Sequence, residues 1–121
     1  MESHAASLDV ESLTQFCRAL GDETRLRIVA LLTHGELCSC HIESALSLSQ
    51  PNASRHLSIL KTAGIVRGRK QGTWVYYRLA SPADAPRRKL LATLAKTFGA
   101  EAALRADIER VIAEKGAGPC R

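Results

Sequence analysis

The sequence predicts a mostly α-helical domain with one small β-hairpin, and three observations lead there. Apolar residues recur at helical spacing in successive stretches, first from Val10 to Leu20 and again from Leu26 to Leu32. Between Thr73 and Leu79 the pattern changes to β-branched and aromatic residues, set off from an earlier extended run by Gln71-Gly72. The length of 121 residues with 45% apolar content suits a single core, since domains most often run to about 100–150 residues.

Each element has its own signal. Asp9 suits the N-cap of a first helix that stops at Gly21; Val10, Leu13, Cys17 and Leu20 form its apolar stripe with Phe16 beside it, so Cys17 is expected in the core. Asp22 caps a second helix that buries Leu26, Val29 and Leu32, flanked by Ile28 and Leu31, and ends near Gly35. A short third helix spans roughly Ser39 to Leu46, bounded by Ser47 and Ser49. The fourth begins at Ser49 or Gln50 and runs to Gly64, with Pro51 in the first turn, where a missing N–H leaves no partner unsatisfied. Ala53, Leu57 and Leu60 line its inward face, and at about 100° per residue Asn52, Arg55 and Ser58 point largely the other way. Helices three and four, so closely spaced, make a helix-turn-helix.

Ile65 to Lys70 and Thr73 to Leu79 then read as two strands joined at Gln71-Gly72, with Val75, Tyr77 and Leu79 inward and Arg69, Lys70 and Gln71 at the tip. After a loop with Pro82 and Pro86, one final helical stretch runs to about Lys115, carrying Leu90, Leu91, Leu94 and Phe98, then Leu104, Ile108, Val111 and Ile112; Gly99 is its weak point. The domain is expected over residues 9–115, between an N-terminal tail (1–8) and a flexible C-terminal tail (116–121).

Charge is unevenly placed. Residues 53–90 carry nine Lys or Arg against the single acid Asp84, a net +8, while the remainder of the chain is −3. A concentrated cationic field attracts a polyanion, which makes nucleic acid the first partner to consider. The longest unbroken apolar run, Ile28 to Leu32, is far shorter than the roughly 18 residues of a membrane span, and Met-Glu-Ser-His opens no secretory signal. A cytoplasmic protein without a membrane partner is expected, with its four cysteines reduced.

A helix-turn-helix followed by a basic hairpin is a winged-helix layout, in which the second helix enters the major groove of double-stranded DNA and the wing touches backbone or minor groove. Gln50, Asn52, Ser54 and Arg55 are assigned to base edges and phosphates, and Arg69 and Lys70 to the backbone. His56 lies nearer the buried side of the wheel and is divided between a DNA contact and a structural hydrogen bond. One winged helix reads a half-site, and the apolar first and last helices offer surface for a symmetric homodimer.

Gly21-Asp22-Glu23-Thr24-Arg25-Leu26, Gly35-Glu36-Leu37-Cys38-Ser39-Cys40, Ser49-Gln50-Pro51-Asn52-Ala53-Ser54-Arg55-His56-Leu57 and Arg69-Lys70-Gln71-Gly72-Thr73-Trp74-Val75-Tyr76-Tyr77-Arg78-Leu79 resemble the ArsR/SmtB repressors, specifically the arsenite-responsive branch, over about residues 12–80. The resemblance implies a dimeric winged-helix transcriptional repressor, not an enzyme, that leaves its operator when a metal or metalloid binds. It maps Cys38 and Cys40 onto the first two ligands of a three-cysteine motif and puts Glu43 where the third stands. Zinc-sensing relatives often use Asp and His on the final helix, and this chain has no His after His56.

Thiolates suit soft acceptors, and As(III) or Sb(III), the expected inducers, prefer three sulfurs where zinc prefers four ligands. On an ideal helix residues i and i+2 stand about 200° apart, so Cys38 and Cys40 are expected to converge only if the inducer distorts the first turn of helix three. The third sulfur is sought from Cys120, on its Gly116-Ala117-Gly118-Pro119 tether, ahead of Cys17 or a cellular thiol. Two other functions compete: a redox sensor in which the cysteines form a disulfide, and a small thiol-dependent arsenate reductase, against which stands the lack of a Cys-x-x-Cys motif or phosphate-binding Gly loop.

Overall fold

A computed structural model describes residues 9–116. Helices α1 (Val10–Leu20) and α2 (Glu23–Leu32) lead into a two-residue strand β1 (Leu37–Cys38), the pair α3 (Ser39–Leu46) and α4 (Gln50–Thr62), the hairpin β2 (Val66–Gln71) and β3 (Trp74–Leu79), and helices α5 (Ala85–Phe98) and α6 (Ala102–Gly116). No helix among the described residues is long and apolar enough to cross a membrane.

The helix starts are set by side chains that accept otherwise orphaned N–H groups. Asp9 accepts from Ser12 at 2.7 Å, Asp22 from Arg25 at 3.0 Å, Ser49 from Asn52 at 3.3 Å and Asp84 from Arg87 at 2.9 Å. Pro86 therefore lies in the first turn of α5, not in the preceding loop, for the reason that places Pro51 in the first turn of α4. The turn between α3 and α4 closes with Ser47 in the left-handed region (φ 55°) and the Leu48 N–H donating to the Glu43 carbonyl at 2.9 Å.

The sheet is antiparallel with strand order β1-β3-β2. Its short edge strand β1 is not foreseen in the sequence, because two residues carry no period. Gln71 pairs with Trp74, so the hairpin turns at Gly72-Thr73, one residue later than expected, with Gly72 at φ 64°.

The core gathers Phe16, Ile28, Leu31, Ile42, Leu57, Leu60 and Ile65 between α1, α2, α3, α4 and the sheet. Two expectations fail at the ends of the chain. On α1 only Phe16 and Ala19 are buried; Val10 is 82% exposed, Leu13 borders on exposure, and Cys17 is exposed rather than in the core. Helical period reports that a face is apolar, not what covers it, and among the described residues Val10, Leu13 and Cys17 stay exposed. The final helical stretch is two helices, interrupted over residues 99–101, where Glu101 accepts from the N–H groups of Ala103 (2.9 Å) and Leu104 (3.3 Å) and starts α6 afresh. α6 packs against α2 and α3 of its own chain. Its buried Asp107 is paired with Arg110 and lies 3.6 Å from Arg27 of α2.

Leu60 is fully enclosed at the centre of this core. Leu60→Ala is expected to cost about 2–5 kcal/mol in chemical denaturation through lost burial and a residual cavity; a cost below about 1 kcal/mol would contradict the packing.

Candidate nucleic-acid interface and cysteine site

α4 is amphipathic, and the division of its faces is sharp. Ala53, His56, Leu57 and Leu60 are buried, while Gln50, Asn52, Ser54 and Arg55 are exposed together at its N-terminal half. Hydrogen-bonding side chains of the kinds that read adenine, guanine and phosphate thus stand free on one end of the second helix of the helix-turn-helix.

His56 turns the other way. Its Nδ1 lies 3.3 Å from Nη1 of Arg25 and 3.9 Å from the Asp22 carboxylate, and the residue is 8% exposed. Of its two expected roles, this geometry is that of the structural hydrogen bond. Arg25 is the partner that the sequence did not single out. Its guanidinium donates to the carbonyls of Ala19 (2.7 Å) and Arg18 (3.2 Å), capping the end of α1 while holding His56 of α4. One side chain of α2 thereby fixes α1 and α4.

The wing tip is cationic and exposed at Arg69 and Lys70. Arg69 also works within the fold: Nε and Nη2 donate to the two oxygens of Glu36 at 2.8 and 2.7 Å, Nη1 donates to Gln71 at 2.7 Å, and the guanidinium lies 4.8 Å from the centre of the Tyr76 ring. A guanidinium has five N–H donors, and three are engaged here, so two remain for an outside acceptor. The Arg69 hydrogen bonds hold the Glu36 carboxyl below the usual carboxylate range. Glu36 and Tyr76 are functional neighbours that the sequence reading left unassigned; an acid two residues before Cys38 was the available signal.

Cys38 is buried and ends β1, where its backbone pairs with Tyr76; it is also the N-cap of α3, with extended geometry (φ −68°, ψ 145°). Cys40, half-buried, is in the first turn of α3. Because Cys38 sits outside the helix, the 200° separation of an ideal helix does not apply, and the two Sγ atoms stand 3.2 Å apart. The expectation that an inducer must first distort helix three to bring them together is overturned. Glu43 is half-buried and its carboxyl is pushed up by desolvation. Among the described residues, no group of three or more Cys, His, Asp or Glu converges as a metal site. The two sulfurs are soft donors, of the kind that suits a thiophilic ion. Cys120, the expected third ligand, lies outside the described residues.

An exposed polar helix end beside a cationic wing is the layout of a winged helix-turn-helix domain. Residues 22–67 match the model of the bacterial regulatory protein, arsR family. The chain is 49% identical over 78 residues to the arsenical resistance operon repressor of Escherichia coli K12, a match spanning 64% of this chain and 67% of that protein. It is 42% identical over 77 residues to the cadmium resistance transcriptional regulatory protein CadC of Listeria innocua, spanning 63% and 65% of the two. In structure it is similar to a homodimeric winged helix-turn-helix DNA-binding domain from Mycobacterium bovis, at a TM-score of 0.62 and 30% identity, covering 77% of this chain and 83% of that one. The chain belongs to the arsR family of bacterial regulatory proteins, and it is a transcriptional repressor of that family rather than an enzyme.

Burial, outweighing the nearby Asp22 carboxylate, holds the His56 pKa below its ordinary value. From about pH 6.5 down to that lowered pKa the unfolded chain binds more protons than the folded one, so stability falls as pH falls through this window. Urea denaturation at about pH 7.5 and about pH 5.5 is expected to show a smaller acid-side loss in His56→Gln than in the wild type; equal losses would separate His56 from the pH dependence.

Proposed function

We propose that this chain is a homodimeric cytoplasmic repressor that holds double-stranded operator DNA through α4 and the wing, and leaves it when Cys38 and Cys40 take up As(III) or Sb(III). The observation that carries this reading is the sulfur pair 3.2 Å apart at the N-cap of α3, the helix that seats α4. A relative named for arsenical resistance supports the metalloid. A relative named for cadmium resistance widens the field to other thiophilic ions.

In this reading Gln50, Asn52, Ser54 and Arg55 meet base edges and phosphates, Lys70 meets the backbone, and Arg69 adds its two remaining N–H groups. The second protomer covers α1 and α5. Val10, Leu13 and Leu90 are exposed large apolar side chains on those two helices, and α6, though packed on α2 and α3, keeps Ile112 exposed. A homodimeric neighbour at 30% identity supports the assembly.

Response follows from where Cys38 is anchored. Its backbone pairs with Tyr76 of the wing strand and caps α3, so a ligand that shifts its sulfur displaces both supports of the DNA-reading surface. If DNA favours one arrangement and the inducer another, each weakens the other by the same coupling free energy, typically about 1–3 kcal/mol.

On DNA, Arg55→Ala is expected to cost about 1–3 kcal/mol of specific binding and relax preference at one base position, while Lys70→Ala weakens all sequences alike and lowers the salt slope by about 1. Gel shifts on the DNA upstream of its own gene measure both, and unchanged affinity in the two folded variants would remove the α4 and wing assignment.

For the inducer, Cys38→Ser and Cys40→Ser should each keep operator binding and lose release by arsenite under reducing conditions, since Ser is close in size but a hard, weak donor. Wild-type release by an oxidant and not by arsenite would instead support a disulfide-forming sensor on the same fold. If both variants respond to arsenite as the wild type does, the ligand assignment is wrong.

A further inference from the structure

We propose that the base of the wing is a binding site for a small soluble phosphate, held between Arg67, Arg78 and Lys61. It is separate from the cysteine pair and does not depend on what that pair binds. A cavity of about 570 Å³ opens there, bounded by the last turn of α4, both wing strands and the segment that leads into α5. Gly64, Gly68, Ala80 and Ala83 give it walls with little or no side chain, so the room comes from the backbone. The volume falls in the range of about 300–1,000 Å³ usual for small-ligand sites.

Positive charge is in excess in this cavity. Five cations line it, Lys61, Arg67, Arg69, Arg78 and Arg87, and no acid does. Arg69 is balanced by Glu36, and Arg87 by Asp84. Lys61, Arg67 and Arg78 are exposed and, among the described residues, enter no ion pair. Arg67 and Arg78 are moreover direct partners across the antiparallel strands. Residues so placed have Cβ atoms about 4.5–5.5 Å apart, and like charges directly opposite destabilise a sheet. An anion between the two guanidinium groups turns that repulsion into attraction. Guanidinium forks match the oxygens of a phosphate, and an ammonium adds a point charge, so three uncompensated cations suit a dianion. The Ser81 hydroxyl on the cavity wall is a further donor.

The position suits a small molecule rather than DNA. Lys61 stands six residues beyond Arg55, about 9 Å along the helix from the end assigned to base reading. Arg67 stands five residues before Gly72, about 16 Å back from the wing tip. The cavity is set back from both, in a recess between several elements that can enclose a ligand. An occupant ties the end of α4 to both strands of the wing, and so fixes the wing against the reading helix.

The test titrates the full reduced chain with inorganic phosphate and with glycerol phosphate by calorimetry, at constant ionic strength held with sodium chloride. Saturable binding, one per chain, is expected in the wild type and in Lys96→Gln, which removes an exposed charge outside the cavity. Arg67→Gln and Arg78→Gln should each weaken it at least about tenfold, through loss of charge-assisted hydrogen bonds. Tighter binding of glycerol phosphate would assign the site to a phosphate monoester, and tighter binding of inorganic phosphate to the free ion. Without phosphate, both variants should unfold at higher urea than the wild type, because the cross-strand repulsion is gone; saturating phosphate should reverse that order. If phosphate stabilises the wild type and both variants alike, the effect is that of an excluded ion and the site is refuted. If neither phosphate binds, while both variants lose affinity for a DNA duplex of unrelated sequence, the cations serve the DNA backbone and the small-molecule site is refuted as well.

Discussion

Two backbone pairings, Leu37 with Tyr77 and Cys38 with Tyr76, determine where every other part of the site can sit. They pull the segment after α2 into the sheet, so Cys38 arrives at α3 in an extended conformation and can cap the helix without belonging to it. That is why sulfurs two residues apart face each other instead of pointing to opposite sides. The same pairings bring Glu36 beside β2, where Arg69 binds it with two hydrogen bonds while lying over Tyr76. Cys38, Tyr76, Arg69 and Glu36 thus form a closed circuit through one strand pairing, one ring contact, one ion pair and two residues of backbone. Both ends of the Glu36–Arg69 bridge are partly in water, so its own contribution to stability is small. Its importance is geometric, because it fixes the wing relative to the cysteine segment.

A second set of polar contacts does the corresponding work for the helices. Arg25 uses backbone carbonyls at the end of α1 and the ring of His56 to hold α1 and α4 to α2. On the other side, Arg110 reaches the Ala45 carbonyl from α6, and the buried Asp107 lies between Arg110 and Arg27. Desolvation pushes the Asp107 carboxyl up against the pull of both arginines. Buried charge of this kind is weak evidence for stability, and losing one partner would leave an uncompensated group. α3 is therefore gripped from three directions: by β1 at its N-terminus, by α4 through the turn at Ser47, and by α6 along its length. A disturbance at Cys38 or Cys40 has little slack to dissipate into before it reaches α4.

Much of this was legible in the sequence because it is encoded locally. Asp9, Asp22 and Ser49 announce helix starts, Pro51 fits only an early turn, and Ala53, Leu57 and Leu60 mark the inward face of α4, leaving Asn52 and Arg55 outward. What was illegible depends on neighbours distant in sequence. β1 is two residues long and has no period, so the geometry of the Cys38–Cys40 pair could not be derived from helical angles. Cys17 shares a stripe with Val10 and Leu13, and a stripe destined for another chain has the same period as one destined for the core. Glu101 starts α6 although it is not among the preferred capping residues, which made two helices look like one. His56 was ambiguous on the wheel because its direction is decided by Arg25, thirty-one positions away.

The convergence of the two sulfurs changes what kind of switch the fold can be. A ligand shifts a conformational equilibrium only by the difference between its affinities for the two states. If the described state already holds Cys38 and Cys40 at 3.2 Å, pairing them does no conformational work, and that step contributes nothing to the coupling. The difference has to arise where the incoming ligand makes a demand that the resting structure does not already meet. One such demand is space, since Cys38 is buried and an atom bonded to its sulfur must displace something held in the sheet or under α3. Another is any further donor that an ion requires beyond these two sulfurs. Both act through elements pinned to α3, so if Cys38 and Cys40 take up the inducer as proposed, the site can bind at small cost at first and concentrate its strain in the last bond to form.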